Sequence, residues 1–202
     1  MPISQRPEHH DLSIKHAQWL TQKYSNAYSV EIDLTYPFLT FENSMKDKKF
    51  TSDLGLANSK ARLRMMTLYQ ISASTSGLVV GTGNKVEDFG VGFYTKYGDG
   101  GVDISPIADC TKTQVWAMGK ELGILEEIQM AEPTDGLWSD GRTDTDQLGM
   151  SYKEIEHLMS RPDEVGYDKY LAIRKKNLHK MKPIPVCKFD GKDTLDTDQK
   201  ET

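Results

Sequence analysis

The stretch from Gly81 to Asp103 places seven glycines among charged and hydroxyl side chains within 23 residues. Each glycine removes packing surface and loosens the backbone, and each charge resists burial, so this stretch cannot be one regular helix or strand. Glycine lets a backbone approach phosphate, lysine neutralises phosphate, and carboxylates hold hard cations or ribose hydroxyls. The stretch therefore predicts a surface that binds a polyanionic ligand together with a metal ion.

The elements that precede this stretch are typical of a parallel α/β sheet. The strongest helical pattern covers residues 55–73 and ends at Ser74–Gly77, with Gly77 as the expected stop. Residues 78–82 then form a short apolar segment of the buried-strand type. Ligands bind beyond the C-terminal ends of parallel strands, which is where residues 81–103 would lie.

Further elements are predicted from periodicity, caps and turn residues. The segments are a helix over 7–24, a strand over 28–34, a mobile loop over 43–53, a helix from the N-cap Thr111 to Leu122, a loop over 131–150, a helix opened by Ser151, and a helix within 163–181. We predict one domain over residues 1–187 and a polar, disordered tail over residues 188–202.

The overall charge and the cysteine count narrow the class of protein. The chain has 202 residues, 25 Lys+Arg and 30 Asp+Glu, and its net charge of −5 argues against a general nucleic-acid binder. No apolar run is long enough to span a bilayer, and no secretory signal pattern is present, so we expect no membrane partner. Cys110 and Cys187 are too few for a disulfide framework. These observations favour a cytoplasmic protein.

Several single residues in and near the glycine-rich stretch are candidates for ligand binding. Lys112 falls in the first turn of its helix, where a cation opposes the helix dipole unless an anion is bound, and this points to phosphate. Glu87 and Asp88 can together coordinate Mg²⁺, or they can simply open a helix. Thr82, at the end of the apolar segment, can bind a nucleotide or cap a turn.

Other candidates have equally ordinary readings. Arg62 and Arg64 lie two residues apart on one helix, so only one of them can face a given ligand. Lys96 and Asp103 flank a glycine-rich turn. No Gly-x-x-x-x-Gly-Lys-Ser/Thr loop, dinucleotide fingerprint or zinc spacing is present. The residues alone predict an α/β domain with a polyanion site after a central strand, and no more.

Five motifs in order extend this prediction. They are Asn58–Met65, Gly81–Asp88, Gly92–Gly101, Pro133–Trp138 and His179–Met181. Together they resemble ammonia-dependent NAD synthetase, of the N-type ATP pyrophosphatases, from Met1 to about Cys187. The resemblance implies an adenine-nucleotide alpha-hydrolase-like fold, with a Rossmann-like parallel sheet and flanking helices. It also implies a homodimer, because relatives bind deamido-NAD across a dimer interface.

The reaction that this resemblance implies is the amidation of deamido-NAD. ATP activates the nicotinate carboxylate as an adenylate with release of pyrophosphate, and ammonia then displaces AMP to give NAD. The residues implied for deamido-NAD are Arg62, Lys96, Asp103, His179 and Lys180. Those implied for ATP are Thr82, Lys112 and Thr134, and Glu87 is implied for Mg²⁺. No residue is implied to act as a covalent nucleophile, since ATP makes the leaving group.

One family motif is not found. Relatives carry an earlier strand, a Ser-Gly-Gly-x-Asp-Ser phosphate loop and a helix, and the nearest match here, Ser76-Gly77, lies at a helix end. We expect one of three explanations: another polypeptide supplies this segment, the sheet closes differently, or the chain is an N-terminally truncated fragment. The chain alone is expected to have little NAD synthetase activity. The alternative to NAD synthetase is a catalytically incompetent nucleotide-binding fragment, or a partner subunit of a split enzyme.

Overall fold

The computed structural model describes residues 1–187, which are mainly helical. The helices are α1 (Pro7–Lys23), α2 (Thr35–Asp47), α3 (Asp53–Thr75), a π-helix (Val86–Val91), α4 (Lys112–Glu121), α5 (Glu126–Gln129), α6 (Asp144–Leu148), α7 (Tyr152–Leu158) and α8 (Tyr167–Met181). None of these helices is both long enough and apolar enough to cross a bilayer. The predicted tail, 188–202, lies outside the described residues.

The predicted helix starts at Thr111 and Ser151 are confirmed by complete capping boxes. The Thr111 hydroxyl accepts from the Gln114 N–H at 3.3 Å, and the Gln114 side chain accepts from the Thr111 N–H at 2.9 Å. Ser151 and Glu154 exchange the same pair of bonds at the start of α7. Each box satisfies two backbone donors that a helix start otherwise leaves free, which is why these two starts can be read from sequence.

Three other boundary predictions were wrong. Residues 43–47, predicted as a loop, belong to α2, whose polar end is exposed while the buried Phe38 anchors its beginning. The loop predicted over 131–150 contains α6, opened by Thr143 and Asp146. The stop of α3 is Ser76, which takes the left-handed conformation at φ 54°, so Gly77 is not the residue that turns the chain.

The predicted parallel sheet is not confirmed. Within residues 1–187, the only β-pairing is an isolated parallel bridge between Val80 and Ile104. Residues 28–34 form no strand, and Leu34 donates its N–H to Pro2 O at 2.9 Å instead. A strand exists only through the neighbour that accepts and donates its backbone hydrogen bonds, and the described residues supply residues 28–34 with no such neighbour.

Most of the buried apolar side chains fall into two separate clusters. The larger cluster joins the π-helix to α6, α7 and α8 through Val86, Val91, Leu148, Met150, Tyr152, Ile155, Leu158 and Tyr170. The smaller cluster joins the N-terminal segment to α2 through Ile3, Leu34 and Phe38. The larger cluster contains Val86 and Val91 and therefore positions the middle of the glycine-rich stretch.

Helix α8 docks on the π-helix at a point where only glycine fits. Gly92 has a φ of 65°, and a Cβ there would lie 2.7 Å from Asn177 Cβ and 2.8 Å from Met181 Cε. Asn177 donates to Val91 O at 3.0 Å, and Lys180 donates to Gly92 O at 2.8 Å and to Tyr94 O at 2.7 Å. The close approach holds the C-terminal end of α8 against the glycine-rich stretch.

Candidate functional site

Glu87 and Lys112 form an ion pair between the π-helix and the first turn of α4. Lys112 Nζ lies 2.8 Å from Glu87 Oε1, and the two side chains are only 17% and 16% exposed. The π-helix presents Glu87 in its first turn, and the Thr111 cap fixes the start of α4. Lys112 therefore faces a carboxylate, which offsets its unfavourable place at the positive end of a helix dipole.

Tyr152 and Asp144 complete this cluster from the core side. The Tyr152 hydroxyl lies 2.8 Å from Glu87 Oε1 and 2.6 Å from Asp144 Oδ2, and the Lys112 ammonium sits 4.6 Å from the centre of the Tyr152 ring. Burial raises the pKa of the Asp144 carboxyl and of the Tyr152 hydroxyl. One hydroxyl proton cannot serve two carboxylates at once. If Asp144 carries a proton on Oδ2, it can donate to the Tyr152 oxygen and leave the Tyr152 hydroxyl to donate to Glu87, while Asp144 Oδ1 has no partner among the described residues.

Asp88, next to Glu87, is a second carboxyl with an altered environment. Burial, followed by the nearby Glu87 and Asp99 carboxylates, raises the pKa of Asp88 to about 6. Its carboxyl group packs so close to Gly83 that it leaves no room for a Cβ there. A proton or a cation would relieve this crowding of negative charge.

The donor set at Glu87 fits Mg²⁺. Glu87 Oε2 accepts only a long, 3.4 Å bond from the Asn84 N–H, and Asp88 adds carboxylate oxygens in the same turn. Within residues 1–187, no group of three or more His, Cys, Asp or Glu side chains forms a ready-made metal site. Mg²⁺ in proteins is commonly held by one or two carboxylates together with water and substrate phosphates, so two carboxyls suffice.

Three of the residues predicted to bind deamido-NAD lie in contact. Arg62 Nε donates to Lys96 O at 3.2 Å, and Lys96 Nζ lies 3.4 Å from His179 O. These residues come from α3, the glycine-rich stretch and the end of α8. The ammonium group of the neighbouring Lys180 donates hydrogen bonds to the carbonyls of Gly92 and Tyr94, and burial lowers the pKa of Lys180.

The remaining predicted site residues lie apart from these contacts. Asp103 accepts from the Tyr69 hydroxyl at 3.0 Å and from the Val79 N–H at 2.7 Å, which ties it to α3 and the apolar segment. Thr134 donates to Arg142 O at 3.0 Å within its own loop. Thr82 is exposed. Their ligand roles stay predictions.

A cleft of about 730 Å³ lies between α3, residues 93–99, residues 135–138 and the end of α8. His179 and Lys180 line it, and on α3 Arg64 lines it rather than the predicted Arg62. Arg64 is engaged with Met1 O at 3.0 Å and with Gln5 Oε1 at 3.1 Å. The cleft thus brings together residues of the first, third, fourth and fifth motifs, and no residue of the second motif lines it.

Sequence reasoning missed Tyr152 and Asp144. Tyr152 is the first residue of α7 and reads as a core aromatic, which it also is, since it is 3% exposed. Asp144 lay in a segment predicted as a loop. The capping box of Ser151 and Glu154 already accounted for the polar residues around Tyr152. Glu87 and Tyr152 are 65 positions apart in the sequence, and no local pattern connects residues at that separation.

The chain is similar to one family of known proteins. The model of the family described as NAD synthase matches residues 1–188. A protein from Carboxydothermus hydrogenoformans named NH(3)-dependent NAD(+) synthetase is 40% identical over 161 residues, covering 79% of this chain and 63% of that protein. A protein of the same name from Syntrophomonas wolfei is 36% identical, covering 85% and 70%.

The chain is shorter than several of these relatives. It covers 63%, 55% and 53% of the length of the relatives from Carboxydothermus hydrogenoformans, Methanosarcina acetivorans and Alkaliphilus metalliredigens. Each of these three relatives carries the same name, NH(3)-dependent NAD(+) synthetase. The match therefore extends over most of this chain and over part of each relative.

Two solved structures show the same fold. NMN synthetase from Francisella tularensis superposes with a TM-score of 0.83 at 29% identity, covering 93% of this chain and 76% of that chain. NH3-dependent NAD synthetase from Campylobacter jejuni superposes with a TM-score of 0.61 at 25% identity, covering 87% and 71%. The two structures have different names, NMN synthetase and NH3-dependent NAD synthetase.

Proposed function

The chain belongs to the NAD synthase family, and from this premise we propose that it serves the ATP-dependent amidation of deamido-NAD by ammonia. The products are NAD, AMP and pyrophosphate. The observation that carries the proposal is the family match over residues 1–188, which includes every motif that suggested this chemistry. The Glu87–Lys112 pair supports it, because it sets a group for a cation beside a group for phosphate.

In the proposed reaction, the protein positions reactants and neutralises charge. Lys112 would leave Glu87 to bind a phosphate of ATP, while Thr82 and Thr134 would supply hydroxyl groups to the same nucleotide. Glu87, with Asp88 beside it, would hold Mg²⁺, which supplies charge neutralisation on the phosphates when it is bound. Preorganised charges of this kind stabilise a departing pyrophosphate without any covalent bond to the protein.

The deamido-NAD side of the proposal uses the contacts between α3, the glycine-rich stretch and α8. Arg62, Lys96, His179 and Lys180 would bring the positive charges of one arginine and two lysines to a dinucleotide that carries phosphate and carboxylate groups. Asp103 would accept from ribose hydroxyls if it released Tyr69. We further propose a homodimer and a cytoplasmic setting, in which the free cysteines Cys110 and Cys187 stay reduced.

A second candidate substrate is the mononucleotide. The superposition on NMN synthetase from Francisella tularensis has a higher TM-score, 0.83, than the superposition on the Campylobacter jejuni NAD synthetase, 0.61. On this reading the acid substrate is nicotinate mononucleotide, and the amidation chemistry is unchanged. Titration calorimetry with deamido-NAD and with nicotinate mononucleotide distinguishes the two, since the preferred acid binds more tightly.

A third candidate is a nucleotide-binding fragment or partner subunit that cannot form the adenylate alone. The 202 residues contain no Ser-Gly-Gly-x-Asp-Ser sequence. A backbone phosphate cradle of this kind binds pyrophosphate at a helix N-terminus, and adenylation without it would be weak. Contacts to deamido-NAD would be kept in part. Separate binding measurements with ATP and with deamido-NAD therefore distinguish such a fragment from a complete enzyme.

The experiment combines binding and turnover on the purified chain. We expect calorimetry to detect deamido-NAD or nicotinate mononucleotide, and K96A to weaken that binding about tenfold through loss of a charged contact, while K120A on the exposed side of α4 does not. With ATP, Mg²⁺ and ammonium, we expect little turnover. Normal turnover would overturn the fragment hypothesis, and no binding of either acid would overturn the proposed function.

A further inference from the structure

Tyr152 is the shared neighbour of the two opposite charges in the cluster. Its hydroxyl lies 2.8 Å from Glu87 Oε1, and its ring faces the Lys112 ammonium at 4.6 Å. The residue is 3% exposed, and its ring meets the Trp116 ring edge-on with 6.2 Å between centroids. The surrounding core leaves the ring little freedom, so the hydroxyl has a fixed position relative to Glu87.

We propose that Tyr152 is a positioning residue that orients Glu87 for the metal and Lys112 for the phosphate, with Asp144 as the anchor of its hydroxyl. The proposal rests on the proposed function for the assignment of Glu87 to a cation. It goes beyond that function because Tyr152 and Asp144 belong to none of the motifs that suggested the chemistry. Both residues act through Glu87 and Lys112 rather than on a ligand.

The physical case rests on what happens when ligands separate the ion pair. A phosphate draws Lys112 away from Glu87, and a carboxylate that loses its ammonium partner in a largely buried place is costly unless another donor remains. The Tyr152 hydroxyl is that donor, and because it is neutral it does not compete with an incoming cation. The ring also offers Lys112 a cation–π contact in the unliganded chain.

Asp144 explains why the hydroxyl stays in place. Its Oδ2 lies 2.6 Å from the Tyr152 oxygen, Asp144 is 6% exposed, and no hydrogen-bond partner of Oδ1 is found among the described residues. A buried carboxyl with one oxygen on Tyr152 and the other unpartnered is a costly choice for packing alone. The position of the Asp144 carboxyl is explained if it fixes the oxygen of the Tyr152 hydroxyl, so that the hydroxyl proton points at Glu87.

The test measures binding of Mn²⁺, a paramagnetic substitute for Mg²⁺, to the purified chain by electron paramagnetic resonance. We expect Y152F, which keeps the ring and loses the hydroxyl, to bind Mn²⁺ about tenfold more weakly, as is usual when a group behind a metal ligand is removed. The matched control is Y167F, which removes a hydroxyl from a residue packed on the same cluster. Its Mn²⁺ affinity should stay within about twofold of the wild type.

Variants of Asp144 test the anchor and remain informative if Y152F does not fold. D144A should weaken Mn²⁺ binding about as much as Y152F, and D144N, which keeps a hydrogen-bonding group beside the hydroxyl, should retain most of the affinity. Normal Mn²⁺ affinity in folded Y152F or folded D144A would overturn the proposal. If D144N loses as much affinity as E87Q, Asp144 contacts the metal itself, and the anchoring role is wrong.

The same series separates this proposal from the proposed function. If the wild-type chain binds no Mn²⁺, or if E87Q binds Mn²⁺ as well as the wild type, the assignment of Glu87 to a cation fails, and the positioning role fails with it. If E87Q loses binding and both Y152F and D144A keep it, only the positioning role fails. Circular dichroism and thermal unfolding confirm that each variant used is folded.

Discussion

At the scale of single residues, the distinctive feature is the accumulation of carboxyl groups around the start of the π-helix. Glu87 is paired with Lys112, whereas no cation of residues 1–187 forms an ion pair with Asp88. Burial and the nearby Glu87 and Asp99 carboxylates raise the pKa of Asp88 from 3.8 to about 6, so this carboxyl still holds a proton at pH values where an ordinary aspartate is charged. This carboxyl couples the stability of the region to pH.

We predict that D88N stabilises the chain above pH 6 and has little effect near pH 4. The folded chain holds the Asp88 proton up to about pH 6, and the unfolded chain releases it near 3.8. The favourable contribution of this carboxyl is present at low pH and is lost as the pH rises through the folded pKa. After allowance for solvent screening, we expect a gain of about 1 kcal/mol at pH 7.5.

The measurement is urea unfolding of both chains from pH 4 to 8. The matched control is D109N, because Asp109 is exposed and the adjacent Lys85 ammonium lowers its pKa, so that substitution should give no gain at any pH. Equal unfolding free energies of D88N and the wild type at pH 7.5 would contradict the prediction.

Some residues can be singled out from their own charge and position. A cation in a first helical turn needs an anion, and in the structure the anion beside Lys112 is Glu87, while the phosphate contact of Lys112 stays a prediction. Asp144 and Tyr152 were not identifiable, because their roles arise from side chains that meet only after folding. Arg62 and Arg64 could be predicted only in part. Their spacing excluded a shared face of the helix but did not decide which of the two faces the cleft.

At the scale of elements, the junction of the π-helix with α8 controls where His179 and Lys180 lie. The backbone at Gly92 passes so close to Asn177 and Met181 that any side chain there must displace α8. Gly123, at the end of α4, also has a positive φ, 71°, but nothing lies within 4 Å of the Cβ it would carry. A substitution at Gly123 therefore measures only the free-energy cost of a side chain at positive φ. A substitution at Gly92 measures that cost together with the cost of steric overlap with α8.

We predict that G92A destabilises the chain more than G123A does. G123A carries only the cost of a left-handed alanine, about 1 kcal/mol. G92A adds overpacking against α8, for a total of about 2 to 4 kcal/mol. Urea unfolding measures both values. Binding of deamido-NAD should weaken in G92A alone, because α8 carries two of its proposed contacts, and equal losses of stability in the two variants would contradict the prediction.

Elements differ in how much of their structure is local. Each of the capping boxes that begin at Thr111 and Ser151 involves only four consecutive residues, so the first residues of α4 and α7 could be predicted from the sequence. Helix α2 has one fully buried side chain, Phe38, and a polar end, which resembles a loop. The strand predicted over 28–34 failed because pairing depends on a neighbour and no pattern within the segment specifies one.

At the scale of the whole molecule, stability is unevenly distributed. The cluster around Ile155 and Val86, both 0% exposed, holds together the π-helix, α6, α7 and α8. Helix α1 has no buried residue and is attached by contacts such as Lys15 to Glu127 at 2.6 Å and Lys23 to Leu122 O at 2.6 Å. Surface ion pairs of this kind contribute little to stability.

We predict that hydrogen exchange will be fast in α1 and slow in α7. Amides open locally with free energies that follow the buried apolar contacts around them, and α7 has three buried side chains against none in α1. Exchange measured by mass spectrometry at neutral pH should show α1 peptides exchanging at least about tenfold faster. Equal protection of the two helices would contradict this distribution of stability.

The π-helix from Val86 to Val91 also limits how the gene can vary. Its wide turn contains one residue more than an α-helical turn would need over the same rise. Losing one codon between Asn84 and Phe93 would rotate everything downstream by about 100° around the helix axis. Glu87 would then lose Lys112, or Gly92 would lose α8. Natural variation in this interval should therefore exchange residues and rarely change their number.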